Sequence, residues 1–338
     1  MVSLTNFANF SKKATLFSIL GLAAIILLLV IFIFGKSIKN SFFPPKPLPA
    51  TVAFGKLPPT DLSDGIKPQG KINYKIETIS GELPVLATNA KVFVVEAGSP
   101  SFGLLDEIKN KANKIGFLLS PQILNDGFKF VDPKNGSRIL VVNNVSGSFS
   151  YQTDLQSVLK PRDSQEAIKT GRQFLALFGL KDDEFPDSRV AIINFKVDGN
   201  KFSEAKSFSE TNLVGVNFYR ADLDKSLVLP ITNGQSLNSA LVGDTVVQAK
   251  MNIYNLARYK FATYPLKGVQ KAYQELQNGA GVFNKDLNSD TYSINDVYLA
   301  YVESSKTQNF LQPVYVFGGG NNLKAFINAV SDDWIIRN

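Results

Sequence analysis

The chain has 338 residues and contains neither cysteine nor histidine. Without cysteine there is no disulfide framework, no thiol nucleophile and no thiolate ligand for zinc. Without histidine there is no Ser-His-Asp triad and no imidazole general base. The remaining catalytic options are carboxylate pairs, Ser-Lys dyads and metals bound by oxygen. The lack of cysteine also fits a bacterial envelope protein that relies on packing alone.

A strong charge of one sign is also missing from most of the chain. The formal net charge is +7, but the first 40 residues carry four lysines and no acidic residue, which leaves +3 for the remainder. Nucleic-acid binding requires lysines and arginines clustered on one face, and no such cluster is present in the sequence. We therefore predict no nucleic-acid partner. No motif for a cofactor is recognisable, and none is predicted.

Charge is absent altogether from residues 14–34, a run of 21 residues. A helix of this length measures about 31 Å, close to the thickness of the hydrocarbon core of a bilayer. The run is longer than the core of a signal peptide, and no small-residue cleavage site follows it. We predict a cytoplasmic tail over residues 1–13 and an uncleaved transmembrane helix over residues 14–35. Gly21, Ala23 and Ala24 give this helix a small-residue patch for contact with a partner helix.

The orientation of the anchor is predicted from the lengths of the segments on its two sides rather than from their charges. Lysines flank the uncharged run on both sides, and slightly more of them follow it than precede it. By the positive-inside rule this difference disfavours a translocated C-terminal region. The tail is nevertheless short, and long domains translocate largely regardless of charge. We predict a single-pass protein of the cell membrane with its C-terminal region outside the cytoplasm and in contact with membrane lipid.

Seven of the sixteen prolines lie in residues 36–70, which predicts an extended, semi-rigid linker. After it, alternating and helical patterns predict strands and three helices, at residues 102–116, 164–177 and 266–277. Asp163 or Ser164 is expected to cap the second helix. Each helix is followed by two or three antiparallel strands. The pattern predicts an α+β fold with a first domain over residues 71–160 and a second over residues 161–338, each sheet packed by its own helix.

Parts of the second region resemble a known family. The residues are AIK at 167–169, FL at 174–175, GL at 179–180, VYLAY at 297–301, FLQPVYVF at 310–317 and FINAV at 326–330. They resemble PepSY-like modules, and most of all the YycH/YycI-type membrane-anchored regulatory proteins. Ser331-Asp332-Asp333 replaces the Thr-Gly of that pattern. The resemblance implies a non-enzymatic regulator that binds a membrane sensor kinase, partly through its anchor helix.

Several short motifs have a structural interpretation that outweighs the chemical one. Asp286, Asn288 and Asp290 have the spacing of a calcium loop, but the glycine and glutamate that the motif requires are missing. The run at 318–322, GGGNN, lacks the residues of a phosphate loop and favours a hairpin turn. An acidic cluster after the second helix favours a solvated loop; its members are Asp182, Asp183, Glu184 and Asp187. No metal is predicted.

Aromatic residues in the last strands are the remaining candidates for a binding surface. Tyr298, Tyr301, Tyr315 and Phe317 could line a groove, although alternation places half of them in the core. We predict a non-enzymatic extracytoplasmic binding or regulatory module that contacts another envelope protein, through these residues, sheet edges and the anchor. The alternative is an envelope scaffold that binds cell-wall glycan or polymer. The oligomeric state is not predictable from the sequence.

Overall fold

The computed structural model describes residues 49–96, 103–155, 158–199, 201–233, 235–252 and 254–336. The predicted tail, the transmembrane helix with Gly21, Ala23 and Ala24, and the first part of the linker lie outside these residues. None of the helices in the described ranges combines the length and the apolar character that crossing a membrane requires.

The fold is of the α+β class, with three helices in the described ranges and a larger share of strands. The helices are α1 (Leu104–Lys114), α2 (Ser164–Ala176) and α3 (Val269–Gln277), close to the predicted positions. The predicted N-cap of α2 is confirmed, because the Asp163 carboxylate accepts a hydrogen bond of 2.7 Å from the backbone N–H of Glu166.

Nineteen strands lie in the described part of the chain. In order they are β1 (Asn73–Ile76), β2 (Asn89–Glu96), β3 (Gln122–Leu124), β4 (Gly127–Val131), β5 (Ile139–Asn143), β6 (Phe149–Gln152), β7 (Val190–Asp198), β8 (Lys201–Glu204), β9 (Leu213–Phe218), β10 (Leu227–Pro230), β11 (Asn238–Val242), β12 (Val246–Met251), β13 (Asn255–Pro265), β14 (Val282–Phe283), β15 (Thr291–Ile294), β16 (Asp296–Glu303), β17 (Phe310–Leu311), β18 (Pro313–Gly318) and β19 (Lys324–Asn328).

The largest sheet has nine antiparallel strands in the order β3-β4-β5-β6-β12-β11-β9-β7-β8. Both α1 and α2 pack on one face of this sheet. Ala112 of α1 and Leu175 of α2 are fully buried in the same core, with Phe130, Leu140 and Val216 from the strands. The expectation that each helix covers a sheet of its own is therefore wrong for α1 and α2, because β6 pairs with β12 and the strands of both predicted ranges form one sheet.

The other sheets are smaller, and two of them contain parallel pairs. A five-stranded sheet has the order β10-β16-β18-β19-β14, and a three-stranded sheet has the order β13-β2-β17. The pairs β10–β16 and β1–β15 are parallel, which corrects the prediction of purely antiparallel sheets. Helix α3 packs on the five-stranded sheet, where Leu276 is fully buried against the strands.

Strand pairing also crosses the predicted domain boundary at residue 160. Strand β6 pairs with β12 inside the nine-stranded sheet, and β1 pairs with β15 although 218 residues separate Asn73 from Thr291. Residues from Pro49 onward form one compact unit. The boundary fails because each range leaves strand edges that are completed only by strands from the other range.

Residues 49–70 pack on the fold, so the predicted linker does not stand free over this range. The backbone N–H of Thr51 donates to the carbonyl of Thr263 at 3.0 Å, and Leu57 is fully buried. Leu57 also forms a parallel bridge with Ile335 near the other end of the chain. Proline keeps the segment extended, and an extended segment can pair with strands as readily as it can span a gap.

Lysines hold the C-terminal end against α3. The Nζ of Lys267, whose side chain is almost fully buried, lies 2.8 Å from Oδ1 of Asp332 and 2.9 Å from Oε2 of Glu275. The Nζ of Lys271 lies 2.6 Å from the other carboxylate oxygen of Asp332. One carboxylate therefore joins two lysines and fixes the chain end.

Candidate functional site

The aromatic residues predicted to line a groove belong mainly to the core. Tyr301 is 3% exposed, and Tyr315 and Phe317 are fully buried. Tyr298 is half-buried, and burial together with the charge of Asp296 raises its pKa to about 12. Other parts of the fold cover both faces of strand β18. Its side chains are therefore buried on either face. This corrects the prediction that these residues form a partner surface.

The other predicted motifs have structural partners. Asp182 and Asp187 of the acidic cluster lie 2.7 Å and 2.6 Å from the guanidinium of Arg172. The run at 318–322 is the turn between β18 and β19, with Asn321 and Asn322 at φ values of 55° and 57°. Asparagine tolerates this left-handed conformation better than most residues.

The face of the nine-stranded sheet opposite α1 and α2, which we call the outer face, is the first candidate surface. Strand register aligns two rows of side chains across it. The first row is Ser150, Lys250 and Ser239, and the second is Gln152, Gln248, Leu241, Gly215 and Ile193. Together with Phe195 and Phe202 they enclose a hollow of about 470 Å³. The outer face thus combines hydroxyl and amide groups with an apolar end.

The apolar end of the outer face is built around Gly215. The Phe195 ring lies on this glycine, where a Cβ atom would come within 2.8 Å of ring atom Cε2. Phe202 on the edge strand β8 packs edge-on against Phe195, with ring centroids 6.3 Å apart, and remains 44% exposed. Ile193 is half-buried beside them. Exposed apolar groups rimmed by polar ones are typical of interaction surfaces.

A second candidate is a cleft of about 650 Å³ where β2, α1 and the residues before β13 meet; we call it the junction cleft. Most of its charged groups already have partners. Glu96 lies 2.6 Å from the Nζ of Lys260 and accepts a 2.7 Å hydrogen bond from Asn255, and Lys181 lies 3.5 Å from Glu184. The cleft therefore offers a polar lining whose charges are mostly paired.

Beneath the junction cleft lies a buried ion network of Arg220, Glu303, Glu184 and Tyr254. The Nε of Arg220 lies 2.8 Å from Oε1 of Glu303, which also accepts a 2.7 Å hydrogen bond from the Tyr254 hydroxyl. The Nη1 of Arg220 binds Glu184. The guanidinium lies over the rings of Phe185 and Tyr254, at 4.9 Å and 4.5 Å. One arginine thus joins the nine-, five- and three-stranded sheets.

The Arg220 guanidinium and the Tyr254 hydroxyl of this network stay protonated at neutral pH, because both pKa values are raised. Burial alone would lower the pKa of Arg220, but Tyr254, Glu303 and Glu184 outweigh it and raise the pKa. Burial, followed by the charge of Glu303, raises the pKa of Tyr254 well above its ordinary value. A phenol with a raised pKa is a poor nucleophile at neutral pH. The arrangement is therefore suited to fixing the three sheets rather than to proton transfer.

Sequence reasoning missed both the outer face and the buried network. Glu303 did leave a signal, because it ends the apolar run of β16 as its only buried carboxylate. A charge in such a run requires a partner. Its partner, Arg220, is 83 residues away, so the sequence alone does not identify it.

Comparisons with known proteins give little further information. No protein-family model matches the chain, and no curated protein matches it. A crystal structure of an uncharacterized protein from Eubacterium rectale ATCC 33656 is similar over 81% of this chain and 94% of that chain, with a TM-score of 0.43 and 10% sequence identity. Similarity at this level supports no statement about function.

Proposed function

We propose that the protein is a non-enzymatic, membrane-anchored binding module that acts outside the cytoplasm by contacting another envelope protein. The observation that carries this proposal is the outer face, whose apolar end is exposed on a broad and otherwise polar sheet. The resemblance to PepSY-like and YycH/YycI-type regulators makes a sensor kinase the expected class of partner. The run at 14–34 supplies the expected anchor.

The apolar end is well placed for such a contact. Phe202 lies on β8, which is the edge strand of the nine-stranded sheet, so a partner can cover Phe202 and Phe195 while pairing with the free edge. Aromatic residues at the centre of an interface contribute much of the binding energy. The hydroxyl, ammonium and amide groups of the two rows beside them would form the polar rim.

The test is crosslinking in native membranes of the full-length chain, with a photoreactive residue at position 193 on the outer face. We expect a single crosslinked membrane protein, and we expect Phe202→Ser to reduce its yield at least about fivefold, as loss of about 1 kcal/mol of binding would. Leu118→Ser, which removes a leucine that is 81% exposed elsewhere, is the matched control and should leave the yield unchanged. Equal yields from both variants would overturn the proposal.

A specific observation favours the alternative of a scaffold that binds wall glycan. Gln152 and Gln248 are exposed and adjacent in register, and the aromatic end lies on the same face. Amide groups bind sugar hydroxyls, and ring faces pack against the apolar side of a sugar. This alternative predicts retention on isolated wall material that Gln248→Ala weakens, with no crosslinked protein partner.

A further inference from the structure

A cleft of about 370 Å³ lies between β7 of the nine-stranded sheet and the five-stranded sheet, and its lining residues differ from those of the outer-face hollow and of the junction cleft. Arg189, immediately before β7, lines one side. Lys324, the first residue of β19, lines the other. Tyr219 and Asn284 contribute further polar groups. The cleft thus places two cationic side chains in one small space.

Lys324 is a half-buried cation without a counter-charge. Among the described residues, its ammonium group has neither an ion pair nor a hydrogen bond, and the contact of this residue with Asn284 uses its backbone N–H, at 2.8 Å. Burial, followed by the charge of Arg189, lowers the pKa of Lys324. An unpaired charge away from water is unfavourable, so an anion that entered here would gain an uncompensated partner.

Arg189 is only partly neutralised. Its Nε lies 3.4 Å from Oδ1 of Asp222 and donates to the carbonyl of Arg220, also at 3.4 Å. Within the described residues these contacts leave both terminal nitrogens of the guanidinium without a protein acceptor. With Lys324, Arg189 and Asp222 counted together, the cleft has a net charge of +1.

Asn284 fixes the position of Lys324. Its Oδ1 accepts from the Lys324 backbone, and its Nδ2 donates at 3.0 Å to the carbonyl of Asn322 in the turn before β19. Asn284 itself is 8% exposed. The cationic side chain therefore projects from a rigid backbone, which reduces the entropy lost when a ligand binds.

We propose that this cleft binds a phosphodiester. A phosphodiester carries one negative charge, which matches the net charge of the cleft. Its two free oxygens suit the fork of an arginine on one side and the point charge of a lysine on the other. A volume of about 370 Å³ lies at the lower end of the range for ligand pockets, which leaves room for the groups on both ester oxygens. The site is independent of the proposed protein partner.

The test is calorimetric titration of the full-length chain in non-ionic detergent. The probes are glycerophosphoglycerol, as a soluble phosphodiester, and short-chain phosphatidylglycerol, as a lipid headgroup, with short-chain diacylglycerol, which has no phosphodiester, as the lipid control. Binding of glycerophosphoglycerol would indicate a soluble ester or polymer, and binding of phosphatidylglycerol alone would indicate a lipid. Either result supports the proposal. Absence of binding by both at millimolar concentration would overturn it.

Variants locate the binding. Lys324→Met should raise the dissociation constant at least about tenfold, which corresponds to about 1.4 kcal/mol. Lys129→Met is the matched control, because Lys129 is also a half-buried strand lysine without an ion pair in the described residues, and it should bind as the wild type does. Asp222→Asn should tighten binding several-fold by removing the competing carboxylate. Unchanged affinity in both Lys324→Met and Asp222→Asn would refute the site.

Discussion

Removal of Arg220 should destabilise the fold strongly. The side chain is fully buried and has two carboxylate partners, of which Glu303 is 2% exposed. In Arg220→Met the apolar stem is largely retained, but Glu303 keeps only the Tyr254 hydroxyl as a partner. A carboxylate would then be buried beside a methionine in place of a guanidinium.

The magnitude follows from the burial of Glu303. Breaking a buried pair by removing one partner typically costs about 3–5 kcal/mol, because the remaining charge is uncompensated. A domain is usually stable by about 5–15 kcal/mol, so the variant should lose a large share of its stability. At about 2–4 °C per kcal/mol for a chain of this size, Tm should fall by roughly 6–20 °C.

A double-mutant cycle separates the charge effect from packing. If the loss of stability comes from the unpaired Glu303 carboxylate, the double variant Arg220→Met with Glu303→Leu should be more stable than Arg220→Met alone by at least about 1.5 kcal/mol. The assay is urea unfolding, followed by fluorescence of Trp334, the only tryptophan. Lys169→Met is the surface control; its side chain is exposed on α2, and the change should be below about 0.5 kcal/mol. A cost below about 1 kcal/mol for Arg220→Met, or simple additivity in the double variant, would refute the reasoning.

Three further predictions concern the fold. Gly127→Ala should cost about 1–3 kcal/mol in urea unfolding, since a Cβ would come within 2.1 Å of a carbonyl oxygen of the paired strand, whereas Gly136→Ala, with nothing within 4 Å, should be neutral. Tyr264→Phe should cost about 1–2 kcal/mol and speed amide exchange at Phe54, whose N–H donates to the Tyr264 hydroxyl at 3.1 Å. Burial opposes ionisation of Asp332, but hydrogen bonds from two lysines outweigh it and lower its pKa below the ordinary 3.8, so its stabilising effect is present above that pH and is lost as pH falls through the folded pKa. Asp332→Asn should therefore lower the free energy of unfolding at pH 7 by about 1 kcal/mol at most after solvent screening, and the difference from wild type should disappear in acid.

Elements whose determinants are local were predictable from the sequence. Helix α2 follows from its apolar spacing and the Asp163 cap, and the β4–β5 hairpin follows from the turn residues between its strands. Their hydrogen bonds join residues close in sequence, so a short window contains the necessary information. Breaks between strands are harder to predict: the sequence over residues 246–258 has the pattern of one strand, whereas the structure has β12 and the beginning of β13 there.

Features that depend on distant pairing were not predictable. The parallel pair β1–β15 and the buried pair Arg220–Glu303 join residues far apart in sequence. The burial of Tyr315 and Phe317 has the same origin. Alternation identifies two faces of β18, but only the packed structure shows that α3 covers one face and residues from the N-terminal segment the other. Surface residues can therefore be predicted only when it is known which helices and strands cover each face of a sheet. The pattern of a single strand does not contain this information.

A comparison of Arg220, which is buried, with Lys324, which is half-buried, distinguishes a structural cation from one available to a ligand. Arg220 and Lys324 both lie near strand ends, and nothing in their sequence context distinguishes them. In the fold, Arg220 has two carboxylate partners and a raised pKa, whereas Lys324 has no partner in the described residues and a lowered pKa. A fully paired charge stabilises the native state without leaving capacity for a ligand. A charge held unpaired on a rigid backbone lowers stability, and it is retained at little cost only where a ligand supplies the missing partner. Lys324→Met should therefore raise Tm slightly in ligand-free buffer, whereas the loss of Arg220 lowers it.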